Sequence, residues 1–166
     1  FNAAHTPFHL PPSDLHTMGS LTSTQAAINA NPRAYFLAAL EAMDTELGRL
    51  LASLPAETRA NTIVIYIGDN GTPRQVIQGH ERAHGKGSVY EGGVAVPLIV
   101  SGPGVTRSGV RESALISSVD LFATIANLAG AGTQQVNDSQ NFSGLLSGSS
   151  GAVREYAYTE SQDDDS

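Results

Sequence analysis

The residues best suited to chemistry sit where an apolar run stops. In NTIVIYIGDNG, Asn61 to Gly71, a short stretch built for burial leads straight into Asp69 and Asn70, held between Gly68 and Gly71. A carboxylate and an amide carbonyl are hard oxygen donors. With no cysteine anywhere in the chain, they suit Ca2+ or Mg2+ better than a thiolate-bound metal. Asp-Asn-Gly is equally the chemistry of a plain turn, because these residues adopt the backbone angles that turns demand. A second candidate is His80-Glu81-Arg82-Ala83-His84, which fits the H-E-x-x-H pattern of zinc metalloproteases: two imidazoles on one helical face and a glutamate base. That chemistry needs a stable helix. Gly79 and Gly85 bracket the motif tightly, and Gln75-Val76-Ile77-Gln78 offers little apolar surface to anchor one. No spacing picks out a third ligand among His5, His9, His16 and the distant acids.

The elements that would position these residues follow an α/β pattern. Thr62 to Ile67 is β-branched and aromatic, the composition of a strand covered on both faces, and ligand sites of open α/β sheets lie outside the carboxyl ends of the strands. Asn31-Pro32 reads as an N-cap followed by proline at the first helical position. Phe36, Leu40, Met43, Leu47, Leu50 and Leu54 then recur at helical spacing, which predicts a helix over 32–54 with that stripe facing a sheet, ended by Pro55. A second strand is expected within Val94–Ser101, centred on Val96–Val100, with Pro97 marking an edge or a strand start. A second helix is expected from Ser117 to Ala129. Ser117 and Asp120 form a capping-box-like start, Val119, Leu121, Phe122, Ile125 and Leu128 form the buried face, and Gly130 ends it. Glu155 to Thr159 reads as a last short strand, and the acidic residues 161–166 as a tail. The fold class expected is α/β, a mostly parallel sheet sandwiched by helices, with the two strands as neighbours or near-neighbours and helix 32–54 packed on the sheet.

Whole-chain properties exclude several function classes. The chain has 166 residues and a formal net charge of −7, with its nine Lys and Arg scattered, so it lacks the basic stripe of a nucleic-acid surface. No apolar run approaches the roughly 20 residues that span a bilayer, and Phe1-Asn2-Ala3-Ala4-His5 has neither the basic start nor the apolar stretch of a signal peptide. The first residue is not methionine, which reads as a chain beginning partway through a longer protein.

The segment after the Asp-Asn-Gly loop carries a family resemblance. Asp69-Asn70-Gly71 behind an apolar strand, then Gly85-Lys86-Gly87-Ser88-Val89-Tyr90-Glu91-Gly92-Gly93, then Val96-Pro97-Leu98-Ile99-Val100 and Gly102-Pro103-Gly104, resembles the type I sulfatases of the alkaline phosphatase superfamily. His5-Thr6-Pro7-Phe8 with Pro11 is similar to that family's histidine-proline segment, Tyr35 through Gly48 to its long helix, and Ser118 to Gly130 to its later helix.

The resemblance implies roles for particular residues. Asp69 and Asn70 match the acid and amide ligands of a divalent ion, usually calcium, Lys86 the lysine that grips a sulfate oxygen, and His5 the histidine beside the leaving-group oxygen. The substrate it implies is a sulfate ester, attacked by a formylglycine hydrate while cations stabilise charge on the equatorial oxygens. Export from the cytoplasm is a family habit. Apart from the resemblance, a lysine between glycines is an ordinary solvated loop residue, and a histidine near a chain end an ordinary surface one. Asp44 and Asp120 read as helix acids rather than ligands.

The departures define the expectation further. The family's nucleophile comes from Cys or Ser in Cys/Ser-x-Pro-x-Arg. This chain has no cysteine, and Ser53-Leu54-Pro55-Ala56-Glu57 carries Glu where Arg is required. The aspartate pair that completes the metal shell is also absent, and Ala95 stands where many relatives carry Arg. Residues 1–160 are therefore expected to be part of a sulfatase-like catalytic domain. The N-terminal half of the same protein, with the nucleophile, is the missing partner, and the chain alone should not hydrolyse sulfate esters; the non-enzymatic alternative is a degenerate binding module left after loss of the nucleophile half.

Overall fold

The structure, a computed structural model, describes residues 3–132, 137–149 and 151–161. In chain order the elements are α1 (Gln25–Ala30), α2 (Pro32–Ser53), α3 (Ala56–Ala60), β1 (Val64–Ile67), a 3-10 turn (Arg82–His84), α4 (Glu91–Val94), β2 (Leu98–Ser101), α5 (Asp120–Leu128) and α6 (Ser143–Leu146). They fall into two compact units. One holds the residues up to Arg59 together with Gly68–Pro97, and the other Ala60–Ile67 together with the residues from Leu98 onward.

The first unit is organised by α2. Asn31 and Pro32 start it as expected, and Leu54 closes it in extended conformation just before Pro55. Its most buried residues are Tyr35, Ala38, Ala39 and Ala42, so the expected burial of the Phe36–Leu54 stripe is corrected by one step around the helix. Phe36, Leu40, Met43 and Leu47 are only half-buried, and Leu50 is exposed. The apolar period locates the apolar side of a helix, but the partners choose the line of closest approach. Here that line is the small alanines, which let the chain before α2 come close. Tyr35 donates its hydroxyl to the Thr22 carbonyl at 2.7 Å, the Thr17 N–H bonds the Glu41 carboxylate at 2.8 Å, and the Thr45 hydroxyl donates to Leu15 O at 3.3 Å. Phe8, Ile28, Tyr35 and Val76 form the core, with Phe8 edge-on to Phe36 at 5.8 Å between ring centres. Burying Phe8 alone is worth about 2 kcal/mol. Phe8 and Val76 matter for position, since each ties down a segment that carries a candidate residue. The short α1, capped by the Thr24 hydroxyl on the Ala27 N–H, is too brief to leave a periodic signal.

The second unit contains the sheet. β1 and β2 pair as neighbours, but antiparallel, Val64 opposite Ser101 and Ile67 opposite Leu98. The expected mostly parallel sheet is therefore corrected for the described residues, whose one sheet is this two-stranded pair. A parallel pair needs a crossover, usually a helix, and residues 68–97 hold none longer than four residues. Pro97 precedes the first residue of β2, the strand-start position its missing N–H favours. Val94 ends α4 rather than starting the strand.

The covered face of α5 also differs from expectation. Val119, Phe122 and Ile125 are exposed, whereas Asp120, Ala123 and Thr124 are buried. The side facing inward meets the backbone of 138–142, which needs acceptors more than it needs bulk. Gln140 N–H donates to Asp120 Oδ1 at 2.8 Å, Phe142 N–H to Thr124 Oγ1 at 3.0 Å, and Ala123 N–H to Ser139 Oγ at 2.9 Å. Asp120 also accepts from the Ser117 N–H at 2.7 Å, but the helix starts at Asp120 behind Val119 as its N-cap, so the expected start at Ser117 is corrected by three residues. Arg154 lays two donors on the same carboxylate, at 2.7 and 2.6 Å. Glu155–Thr159 forms no strand, and Tyr156 and Tyr158 stand exposed. Alternating tyrosines show strand propensity, but a strand exists only where a partner edge is at hand. Residues 162–166 of the expected acidic tail lie outside the described residues.

Candidate functional site

His5 and Lys86 meet. They lie far apart in sequence, yet the Lys86 ammonium nitrogen is 3.2 Å from His5 Nε2. The rest of the imidazole explains the polarity of this contact. Nδ1 lies 2.5 Å from the Thr6 carbonyl oxygen, which can only accept, so Nδ1 carries the proton and Nε2 presents its lone pair to the ammonium. His5 is held because Phe8 is buried in the core, and Lys86 because its backbone N–H donates to Thr72 O at 2.8 Å, in the segment tied down by Val76. Lys86 is the only lysine in the sequence.

The loop presenting Lys86 is built by close backbone approach. Gly71 N–H donates to Gly93 O at 2.9 Å and Thr72 N–H to Gly92 O at 3.1 Å, so the start of the loop is stitched to α4 at its end. Any Cβ on Gly93 would overlap the Ser88 carbonyl, and one on Gly71 would overlap the carbonyls of Gly92 and Gly93. These are places where only glycine lets chains come this near. The Glu91-Gly92-Gly93 block thus shapes the loop. Gly87 has a different role: its φ of 85° is one that glycine adopts without cost.

Asp69 and Asn70 follow β1 directly and are exposed at the head of the same loop. The Asn70 amide nitrogen donates to Gly71 O at 3.1 Å, which leaves its carbonyl oxygen as the end available to a cation. Two adjacent hard oxygens fit part of a Ca2+ or Mg2+ shell and fall short of the whole, since Ca2+ takes about six to eight ligands. Among the described residues, no three His, Cys, Asp or Glu side chains gather into a metal cluster. No hydrogen bond or ion pair joins Asp69 or Asn70 to the His5–Lys86 pair among the described residues.

His80, Glu81 and His84 do not form the zinc arrangement. Only Arg82–His84 is helical, as a single 3-10 turn, and Glu81 precedes it in extended conformation. The two imidazoles therefore lack the shared α-helical face the motif requires. Instead the His84 ring stacks on Tyr90 with centres 3.6 Å apart, and its Nε2 lies 3.9 Å from the Glu81 carboxylate.

One residue near the site escaped the sequence reading. The stem of Arg74 passes over Gly85, its Cγ 3.3 Å from where a Cβ would stand, and its Nη2 is 4.0 Å from the corresponding position on Gly87. Arg74 thus borders both glycines that flank Lys86. Nothing in its local sequence marks it apart from its charge in an acidic chain.

Comparison with known proteins agrees with the arrangement of these segments. The family model described as Sulfatase matches residues 1–131. Steryl-sulfatase of Homo sapiens is 30% identical over 157 residues, covering 87% of this chain and 27% of that protein. Arylsulfatase A of Homo sapiens is 34% identical over 156 residues, 90% of this chain and 30% of its own length. A sulfatase of Formosa agariphila is 33% identical over 147 residues, 77% of this chain and 26% of its length. The chain thus spans between about a quarter and a third of these relatives. A match that runs from before His5, through the Asp-Asn-Gly loop and the Lys86 loop, to the end of α5 leaves one conclusion: this chain belongs to the sulfatase family.

Proposed function

We propose that the protein carrying this chain hydrolyses sulfate esters, and that His5, Asp69, Asn70 and Lys86 are this chain's contribution to the reaction. The observation that carries the reading is the 3.2 Å contact between Lys86 and His5, two groups suited to an anionic ester and its leaving oxygen, brought together from distant segments. A sulfate monoester is anionic throughout, and its breakdown spreads negative charge over the oxygens bound to sulfur. The Lys86 ammonium has three N–H donors and spends one on His5 Nε2, leaving two for sulfate oxygens. His5, fixed by its Nδ1–H on the Thr6 carbonyl, turns Nε2 alone toward this space. Nε2 takes up the proton that Lys86 donates to it and passes it to the ester oxygen as the S–O bond breaks and the alcohol departs, leaving Lys86 neutral until solvent reprotonates it.

Asp69 and Asn70 would hold a divalent cation, Ca2+ or Mg2+, through their exposed oxygens. Bound there, the cation supplies Lewis-acid polarisation of sulfate oxygens. Residues 1–166 contain no Cys/Ser-x-Pro-x-Arg sequence, so the nucleophile, a formylglycine by family resemblance, and the remaining metal ligands would come from outside these residues.

The test assays this 166-residue chain and the full-length protein side by side on 4-nitrophenyl sulfate with calcium. Turnover by the full-length protein and none by the chain alone is expected. A full-length protein inert on aryl sulfates, or unaffected by Lys86→Ala, would remove the reading.

A further inference from the structure

We infer that Arg74 is a second anion-recognising residue beside Lys86, selecting esters that carry another anionic group close to the scissile sulfate. The inference rests on the sulfatase reading of Lys86 and adds to it the class of substrate.

Arg74 is exposed, and its side chain runs along the two glycines on either side of Lys86. Its aliphatic stem covers Gly85, and its guanidinium lies over Gly87. A Cβ at Gly87 would meet nothing within 4 Å but that guanidinium, so the surface there is open apart from a cation. No carboxylate pairs with Arg74 among the described residues. Arg49, Arg107 and Arg154 each have one, in Glu46, Glu112 and Asp120. The neighbouring acid, Glu81, lies beside His84 instead. In a chain of net charge −7, the stretch from Arg74 to Lys86 contains Arg74, Arg82 and Lys86 against the single acid Glu81. The positive surplus is therefore local and sits next to the lysine.

The two cations differ in what they recognise. An ammonium is a compact point charge that follows an oxygen wherever it sits. A guanidinium is a planar fork that pairs two-on-two with a carboxylate, sulfate or phosphate and sheds water more readily. Lys86 engages the sulfate to be cleaved, and Arg74 a neighbouring carboxylate or second sulfate on the same molecule. The short stem path over Gly85 limits the reach, so the two anionic groups must be close, as on one ring.

The experiment measures binding, which separates this inference from catalysis. Full-length protein is titrated calorimetrically with benzenesulfonate, benzene-1,3-disulfonate and 3-sulfobenzoate, stable mimics with one sulfonate, two sulfonates, or a sulfonate and a carboxylate. Wild type should bind at least one two-anion probe roughly tenfold more tightly than benzenesulfonate, the scale of one added charge-assisted hydrogen-bond pair. Comparing the two such probes tells whether the second group is sulfate-like or a carboxylate. Arg74→Gln should abolish the preference while leaving benzenesulfonate binding unchanged, and Arg74→Lys should keep part of it. Equal affinity of wild type for all three probes overturns the inference, as does a preference that survives Arg74→Gln. Should Arg74→Gln fail to fold, the wild-type comparison and Arg74→Lys still decide. A wild-type preference that Arg74→Gln abolishes, in a protein that turns over no aryl sulfate, would sink the sulfatase reading and leave only the anion recognition by Arg74 standing.

Discussion

Single residues carry the proposed chemistry, and they differ in how far their types announced it. Asp69 and Asn70 were legible because a carboxylate and an amide at the end of an apolar strand are chemically pointed. His5 and Lys86 were legible only through family resemblance, since nothing local distinguishes a loop lysine or a terminal histidine. What the sequence could not hold is their contact, which depends on Phe8 and Val76 entering one core. That contact predicts strong coupling. Lys86→Ala should lower kcat/KM on an aryl sulfate about 10²- to 10³-fold, the usual loss when one preorganised charge donor is removed. His5→Ala should lower it by a similar factor. The double variant should lose far less than the product of the two, because groups that act as a unit are not additive. Steady-state kinetics of the four proteins checks this, and purely multiplicative losses would mean the pair does not act together. Asp69→Ala should weaken calcium binding at least tenfold in a calorimetric titration of full-length protein while leaving its fold intact, since the side chain is exposed.

Elements show where periodicity stops being informative. The start of α2 at Asn31-Pro32 and its stop before Pro55 were readable because caps and proline are local chemistry. Its burial line was not, because Ala38, Ala39 and Ala42 are buried by what packs on them rather than by their own size. The same holds for α5, whose buried line follows the acceptors Asp120 and Thr124 instead of Phe122 and Ile125. Two glycines sort by the same logic. Gly93→Ala forces its new methyl into the Ser88 carbonyl and should cost about 1–3 kcal/mol, the range of an overpacked site. Gly48→Ala, inside α2 with nothing within 4 Å of its added carbon, should stabilise by about 0.5–1 kcal/mol. Opposite shifts in thermal midpoint are expected, and shifts of the same sign would contradict the close-approach account. Burial pushes the Asp120 carboxyl up, but hydrogen bonds from Arg154, Ser117 and Gln140 outweigh it and hold the group below the usual carboxylate range. The stabilisation it brings is therefore complete above the unfolded value near 4 and lost as pH falls through the lower folded one. Urea midpoints measured from pH 7 to pH 3 should decline below about pH 4, and Asp120→Ala should remove this part of the dependence at a cost of about 3 kcal/mol.

At the scale of the whole molecule, the α/β class came through in outline and the sheet did not. Strand number and direction depend on chain that the local pattern does not contain, and the chain spans only 27% of human steryl-sulfatase. The exposed faces of Leu50, Ile99, Val119, Phe122 and Ile125 belong to the same outline, each apolar by sequence and uncovered among these residues. The partition into two units has a consequence for how the molecule comes into being. The chain builds the first unit up to Arg59, leaves it for Ala60–Ile67, returns for Gly68–Pro97, and leaves again. Neither unit is a continuous stretch of polypeptide. On the ribosome, Phe8, Ile28 and Tyr35 emerge together and must wait for Val76 before their core is complete. The Lys86 loop closes later still, when Gly92 and Gly93 emerge to receive Gly71 and Thr72. Nascent chains stalled with Arg59 as the last exposed residue should therefore be cut readily by protease. Chains stalled with Pro97 exposed should be the first to show a protected fragment containing α2. Protection appearing already at the earlier stall would mean that α2 and the segment before it fold without the loop that carries the lysine.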